Sequence, residues 1–485
     1  MIYLQSVGPE RRQDLLRPHR GKHSLRNPLN STMASSSFSA EKIGFMLSVT
    51  ILAVLYGTAV GRWHWPPFSV LEGAVAEAKM ILDPQGPLLN SRDYTRHGTR
   101  LEQPNWVQPG PTFVASSWRG DDGSLEPELR LLAPDGSVLH TWRVPRTKLF
   151  ESGRRKQPER TGMHGSSLLP GGDIVVNQRY VGMARLNACG EVVWALNEGN
   201  HHSIEQAEDG SFWTPAVPET PQVGSERFPD GYPGLDGKPV WIERLLHVSP
   251  DGEILHDINA LDVVYESELR RYLMKASWGG KRRVTGPPTD ILHINDVEPL
   301  PPSMADEYPT LEAGDLVVSV KRLHLVFVVD PDTREVKWHA SDPFIAQHDP
   351  DFIGDGWIGV FDNQNDGTER GALLGGSRIV AVQPHTDSVE VLFPTEQSEP
   401  FYTQGQGRWE MLDNGNLLLT ETESGRIVEV DSAGRTVWEW IHRPYNESRV
   451  PEVTQASRRG LSREQIAAWP CSSVDSTQTA SRSTD

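Results

Sequence analysis

Along most of the chain, short apolar runs alternate with turn residues, and one unit recurs. An apolar strand ends in a tight turn and a second strand rich in Val, Leu and Trp follows: LRLLAPDGSVLHTW, MARLNACGEVVWAL, RLLHVSPDGEILHDI, VFVVDPDTREVKWHA, RIVAVQPHTDSVEVLF and RIVEVDSAGRTVWEW. Leu139, Val193, Leu255, Val336, Val389 and Val437 hold the same place in these copies, 54, 62, 81, 53 and 48 residues apart. Hairpins recurring at this period predict radial repetition of small sheets, an all-β, six-bladed β-propeller over residues 100–445. A β-sandwich is the alternative, but sandwich strands do not repeat at this period.

A second element interleaves with the first. His164, His202, His348 and Gly407 each stand eight residues before a turn glycine (Gly172, Gly210, Gly356, Gly415), and His293 opens the same element with a longer insert. His164, His202, His293 and His348 therefore occupy equivalent places near the start of one strand in successive blades. Such places converge on the central channel. Between the blades, Pro215 to Lys238 reads as a loop, and Leu261 to Lys275 has helical periodicity. Gly279-Gly-Lys-Arg-Arg is a basic patch. After Tyr445 the pattern stops; residues 446–485 read as an extension with a short helix opened by the Ser462/Gln465 capping box and a disordered tail.

The N-terminus departs from this pattern. Ile43 to Gly61 is 19 residues without a charge, preceded by seven Lys/Arg and three acids. It predicts a transmembrane signal anchor at 43–62, a cytoplasmic basic segment at 1–42, and a helical collar within 63–99 (Val70 to Leu82). A cleaved signal peptide is the rival, and Met33 is an alternative start. The expected location is the inner membrane, single-pass, with the propeller facing the periplasm.

Composition narrows the function. With 47 Lys+Arg against 65 Asp+Glu in 485 residues, a net charge of −18, a nucleic-acid partner is not expected. Two cysteines, Cys189 and Cys471, make neither a disulfide framework nor a thiolate zinc site. There is no phosphate loop, G-x-S-x-G or HExxH. Without H-x-H spacing no His-bound metal is expected. Asp362 to Gly367 approaches a calcium loop but lacks its closing Glu, so it reads as a hydrogen-bonded turn. The histidine set, with His201 beside His202, is the leading chemical candidate. The tryptophans at 142, 194, 338, 438 and 440 read as blade-packing core.

HIND at 293–296, QHDPDF at 347–352, VFDNQND at 360–366 and LDNGNLLLTE at 412–421 resemble the bacterial arylsulfotransferases. Their resemblance implies a six-bladed exported propeller that moves a sulfuryl group between phenolic compounds without a nucleotide donor or other cofactor. The family's two active-site histidines carry over to His293 and His348, and its arginine to Arg378 in GGSRIV. Asn295, Asn363, His164 and His202 join them as expected substrate contacts, with Phe352 and Trp409 as aromatic walls. The family's covalently sulfated histidine has no counterpart here, since residues 404–410 read QGQGRWE. Two functions follow: an arylsulfotransferase-like enzyme whose nucleophile has been reassigned, with His348 as substitute, or a degenerate propeller that binds a ligand or protein. Grafting a histidine at Gly407 or Trp409 is expected to restore the covalent route.

Overall fold

The computed structural model describes residues 39–63, 88–120, 122–144, 149–150, 162–277 and 290–471. The collar at 70–82, the basic patch at 279–283 and the tail after 471 lie outside the described residues. The chain divides into two compact units, residues 1–78 and 79–485.

In the first unit a helix runs from Ala40 to Trp63. Its segment Ala40–Thr58, with a mean hydropathy of 1.5, is long and apolar enough to cross a membrane.

The second unit is a six-bladed β-propeller. The inner strands are Val453–Arg458 for the first blade, then Met163–Leu168, Glu205–Gln206, Ile294–Pro299, His348–Phe352 and Arg408–Met411 for the second to the sixth. Each recurrent hairpin of the sequence forms the two outer strands of a blade, and all six carry a register shift. Such bulges add to the twist that lets sheets pack radially. The turns need glycine: Gly252 has φ +87°, and an added Cβ would sit 2.8 Å from the Trp194 ring. Trp194 answers by donating to the carbonyl of Pro250 in the next blade, at 2.9 Å. Trp142 does the same to Gly172 at 2.9 Å, and Trp438 to Pro134 at 2.8 Å. The tryptophans thus pack blades together and also satisfy turn carbonyls.

The ring closes with strands from both termini. Val453–Arg458 pairs with Thr112–Arg119, and Gly98–Leu101 pairs with the outer strand of the sixth blade. The repeat therefore does not stop at Tyr445: the innermost strand of the first blade comes from beyond it. No hairpin joins these partners, so no local signal marks the strand. Buried Arg426 holds the closing blade through Glu439 (2.7 Å) and Glu421 (3.4 Å). After the strand, the helix Arg463–Ala467 has its capping box, and Ile466 and Trp469 enter the core of the first two blades. Cys189 and Cys471, which are not numerous enough for a framework, form one disulfide across 282 residues. It ties the C-terminal segment to the second blade.

The helical insert is two helices, Ala260–Glu266 and Arg270–Ser277, broken at Ser267. Asn259 caps the first by accepting from the backbone N–H of Leu261 (3.0 Å) and Asp262 (3.1 Å). The segment after Pro215 is loop, with one bridge between Gln222 and Val240. Asp366 serves as a turn residue, its oxygens accepting from the N–H groups of Thr368, Leu373 and Leu374.

One buried group makes stability pH-dependent. His442 lies between Trp118 and Trp440, 5.3 and 5.4 Å between ring centroids, and donates from Nδ1 to the Arg443 carbonyl. Burial pulls its pKa from 6.5 down to about 4. The unfolded chain takes up a proton from pH 6.5 downward that the folded chain refuses until about pH 4. This contribution is therefore complete above pH 6.5 and is lost as pH falls through that window, by about 3 kcal/mol. Denaturant unfolding of wild type and His442→Gln between pH 7 and 4 should give a flatter pH slope for the variant; equal slopes would contradict it.

Candidate functional site

The site forms where the inner strands begin. In the first, second, fourth and fifth blades the pairing of the inner strand slips by one residue near that end. In a regular strand neighbouring side chains face opposite ways, whereas a bulge lets two consecutive residues face the same side. So His348 and Asp349 both line the channel. Gly407, before the sixth inner strand, has φ +140°.

The four histidines come together. The rings of His164 and His202 are 4.3 Å apart, and those of His202 and His293 are 5.0 Å apart. His164, His202 and His348 line a small pocket of about 30 Å³ with Asn295, Asp349, Gln406, Gly407, Arg408 and Thr454.

Hydrogen bonds fix the state of each ring. Asn363 donates from Nδ2 to the carbonyls of Thr403 (2.9 Å) and Gln406 (2.6 Å), so its Oδ1 must face His348 Nδ1, 2.6 Å away. His348 Nδ1 is therefore the protonated nitrogen, and Nε2 carries a lone pair. That Nε2 is buried and has no hydrogen-bond partner among the described residues. His293 donates from Nδ1 to Asp290 (2.7 Å), which also receives Arg322 (3.1 Å). Glu243 accepts from His201 Nε2 (3.0 Å), and the Nδ1 atoms of His201 and His202 are 2.6 Å apart, so His202 donates to His201. His164 Nδ1 accepts from the His202 backbone N–H (3.0 Å), which excludes the imidazolium and leaves the ring's one proton on Nε2, beside Arg179.

Electrostatics agrees with these states. Burial holds the pKa values of His164, His202 and His348 well below 6.5, helped by Arg179, by neighbouring histidines and by Lys321 respectively. Three neutral imidazoles thus share the site. Burial also draws Lys321 down to about 8, while its Nζ donates to the Gly405 carbonyl at 2.8 Å. Asp290 stays below the usual carboxylate range: burial raises it, but His293 and Arg322 outweigh that effect.

Other expected residues stand elsewhere. Arg378 is engaged at the edge of its own blade, with Nε on Asp362 (2.8 Å) and Nη2 on the Pro343 carbonyl (3.0 Å), outside the pocket lining. Phe352 belongs to a core cluster and meets Tyr308 edge-on at 5.2 Å. The bulge at Asp349 turns Phe352 away from the channel. Trp409 alternates with channel-facing Arg408 and packs in the core against Gly359. Asn295 lines the pocket, donating from Nδ2 to the Gln347 carbonyl (2.7 Å). Asn363 is buried behind His348 as its positioning partner.

The cation that does line the pocket is Arg408, a residue that sequence reasoning passed over. Its Nη1 contacts Glu205 (2.8 Å) and Asp349. Gly407, just before it at the start of the inner strand, was its local signal. Tyr180 supplies an aromatic ring 4.7 Å from His201.

Grafting a histidine at Gly407 meets backbone at positive φ and Phe361, 2.6 Å from the added Cβ. Grafting one at Trp409 empties a core position. Both variants are expected to lose several kcal/mol, about 3 or more for Trp409→His, and to restore nothing. Gln406, half-buried and in the lining, is the position that accepts an imidazole. Denaturant melts should separate Gln406→His, near wild type, from the other two; equal destabilisation would contradict the assignment.

Comparison with known proteins names the family. No curated protein matches the chain. Among solved structures, a protein of unknown function from Bacteroides caccae is similar at 11% identity and TM-score 0.43, covering 72% of this chain and 98% of its own. A streptogramin B lyase is similar at 12% identity and TM-score 0.36, covering 73% and 87%. Neither likeness is near enough to carry chemistry. The family model described as arylsulfotransferase (ASST) matches residues 165–443, which hold the inner hairpins of the third to the sixth blades and His201, His202, His293 and His348, with His164 one residue before the match. The chain belongs to the arylsulfotransferase family.

Proposed function

We propose that this protein transfers a sulfuryl group from an aryl sulfate to a phenol, with His348 as the covalent carrier. The observation that carries this reading is the state of His348: Nδ1–H held by Asn363, Nε2 unprotonated, buried and unpartnered at the pocket. A neutral imidazole so held is a ready nucleophile. In the first half-reaction Nε2 bonds to sulfur as the bond from sulfur to the phenolic oxygen breaks, and the leaving phenoxide takes a proton. In the second, the acceptor phenol loses its proton, its oxygen bonds to sulfur, and the S–Nε2 bond breaks. His293 is the proton carrier for both halves, because Asp290 orients its ring and balances the imidazolium when it forms. Charge gathers on the three sulfuryl oxygens during transfer, so fixed cations are the main need. Arg408 is the guanidinium that lines the pocket in the place expected of Arg378, and Arg179 and Lys321 add to the positive field.

The export reading rests on three features: the apolar helix, the seven basic residues before Ile43, and the Cys189–Cys471 disulfide, which suits an oxidising compartment. On this reading the helix is an inner-membrane anchor and the propeller works in the periplasm.

A second reading, a ligand- or protein-binding propeller without turnover, is favoured by one observation, the lack of a histidine from 404 to 410. Incubation of the purified protein with an aryl sulfate and a phenol, followed by chromatography, distinguishes the two. A newly sulfated phenol supports the enzyme; none across a broad set of donors supports the binding module.

A further inference from the structure

Beside the histidines lies a second constellation, made of carboxylates. Glu205 comes from the third blade, Asp296 from the fourth and Asp349 from the fifth. One oxygen from each lies within 4.8 Å of the other two. Asp296 is fully buried, and neither of its carboxylate oxygens has a hydrogen-bond partner among the described residues. Glu205 and Asp349 meet there through the Arg408 guanidinium, and Asp349 also accepts the Trp409 backbone N–H at 2.8 Å.

We propose that Glu205, Asp296 and Asp349 form a binding site for Ca²⁺ that joins the third, fourth and fifth blades across the channel. Three arguments lead there.

The first is satisfaction. Buried carboxylates are hydrogen-bonded, ion-paired or metal-bound, because leaving both oxygens without partners costs several kcal/mol, roughly 2–7 per polar group. Arg408 hydrogen-bonds Glu205 and Asp349 but not Asp296, which it favours only through its charge. The second is charge. With all three ionised, the carboxylates and one guanidinium would carry a net charge of −2, which a divalent cation cancels. The third is chemistry and size. All the donors are hard oxygens, which select Ca²⁺ or Mg²⁺ over Zn²⁺. Three oxygens within 4.8 Å of one another can share one Ca²⁺, which binds at about 2.4 Å in flexible geometry, whereas Mg²⁺ demands about 2.1 Å and a near-ideal octahedron.

Glu205 and Glu298 line a cavity of about 480 Å³ between the third and fourth blades, together with the turns at Asp209 and Pro301. It lies by the turns of the inner hairpins, at the ends of the strands away from the histidines, and Glu205 is the carboxylate of the three that lines it. This site lies apart from the Asp362–Gly367 segment that resembles a calcium loop, whose Asp366 is occupied by backbone N–H groups.

The bulges explain why the site escapes sequence motifs. Asp296 follows the bulge at Asn295, and Asp349 is itself the bulged residue. Each sits beside a residue of the histidine pocket and faces the same channel. The ligands are also separated by 91 and 53 residues, one per blade, a spacing no local motif contains.

The test is calcium binding by the detergent-solubilised full chain, stripped with EDTA and read by calorimetry and by thermal unfolding. The expected result is one Ca²⁺ per chain with a raised Tm, weaker binding of Mg²⁺, and at least a tenfold loss of Ca²⁺ affinity in Asp296→Asn. That substitution keeps the shape and removes the charge; Glu205→Gln, at a half-buried position, is the second variant and should lose affinity likewise. Two results would overturn the site: no heat and no Tm shift at millimolar Ca²⁺, which is what a protonated Asp296 would give, or Ca²⁺ binding unchanged in both variants, which would place the ion on the acidic surface.

Discussion

Replacing His348 by Ala should abolish sulfuryl transfer, lowering kcat by about 10⁴-fold or more, the scale of losing a covalent nucleophile. The loss should not come from unfolding. Among the described residues the His348 side chain has one hydrogen-bond partner, Asn363 Oδ1, so its removal leaves one buried acceptor unsatisfied, at about 1–3 kcal/mol. Arg378→Ala should behave differently, because Arg378 is tied to Asp362 and Pro343 outside the pocket. It should cost stability, since Asp362 is buried and would lose its cation, while transfer by the remaining folded fraction stays within about tenfold of wild type. Steady-state kinetics beside circular dichroism separates the cases. Transfer surviving in His348→Ala would remove that residue from the chemistry, and a complete loss in well-folded Arg378→Ala would return Arg378 to the site.

Deleting residues 446–485 should abolish cooperative folding of the propeller. The segment supplies the inner strand of the first blade, with Val453 fully buried and Arg458 paired to buried Glu429 at 2.7 Å. It also supplies Ile466 and Trp469 to the core and one half of the disulfide. Burial of three large apolar side chains is worth about 1.5–3 kcal/mol each, and the stranded Glu429 costs about 3–5 more. Together these exceed much of the ~5–15 kcal/mol that holds a domain folded. A truncated protein with a sharp unfolding transition near that of wild type would show that the ring closes without this strand. Deletion of 472–485 alone should leave the transition in place.

These two regions also mark where the sequence was informative and where it was not. The outer hairpins were legible because each is local: strand, Asp-Gly or similar turn, strand. The histidine phase was legible for the same reason, since each histidine stands eight residues before its turn glycine. Val453–Arg458 was not, because its partner Thr112–Arg119 lies more than 300 residues away and neither strand carries a turn that announces the other. Side-chain direction failed where bulges intervene. Strict alternation from His348 puts Phe352 on the channel side, but the extra residue at Asp349 reverses it into the core. Trp409 was misplaced by attending to its aromatic character; its neighbour Arg408, facing the channel, required Trp409 to face the core. Arg378 followed the family's motif, and the structure instead brings Arg408 to the pocket, a residue whose role depends on Glu205 and Asp349 from two other blades. Contacts spanning three blades leave no trace in any single stretch of sequence.

The central claim is that His348 carries the sulfuryl group. Its most direct test is to mix the wild-type protein with an aryl sulfate alone, quench, digest, and locate the added sulfuryl group by mass spectrometry. The account predicts one label per chain, on His348, discharged when a phenol is added. A label on any other residue, or stoichiometric phenol transfer with no labelled His348 at any time, would contradict it.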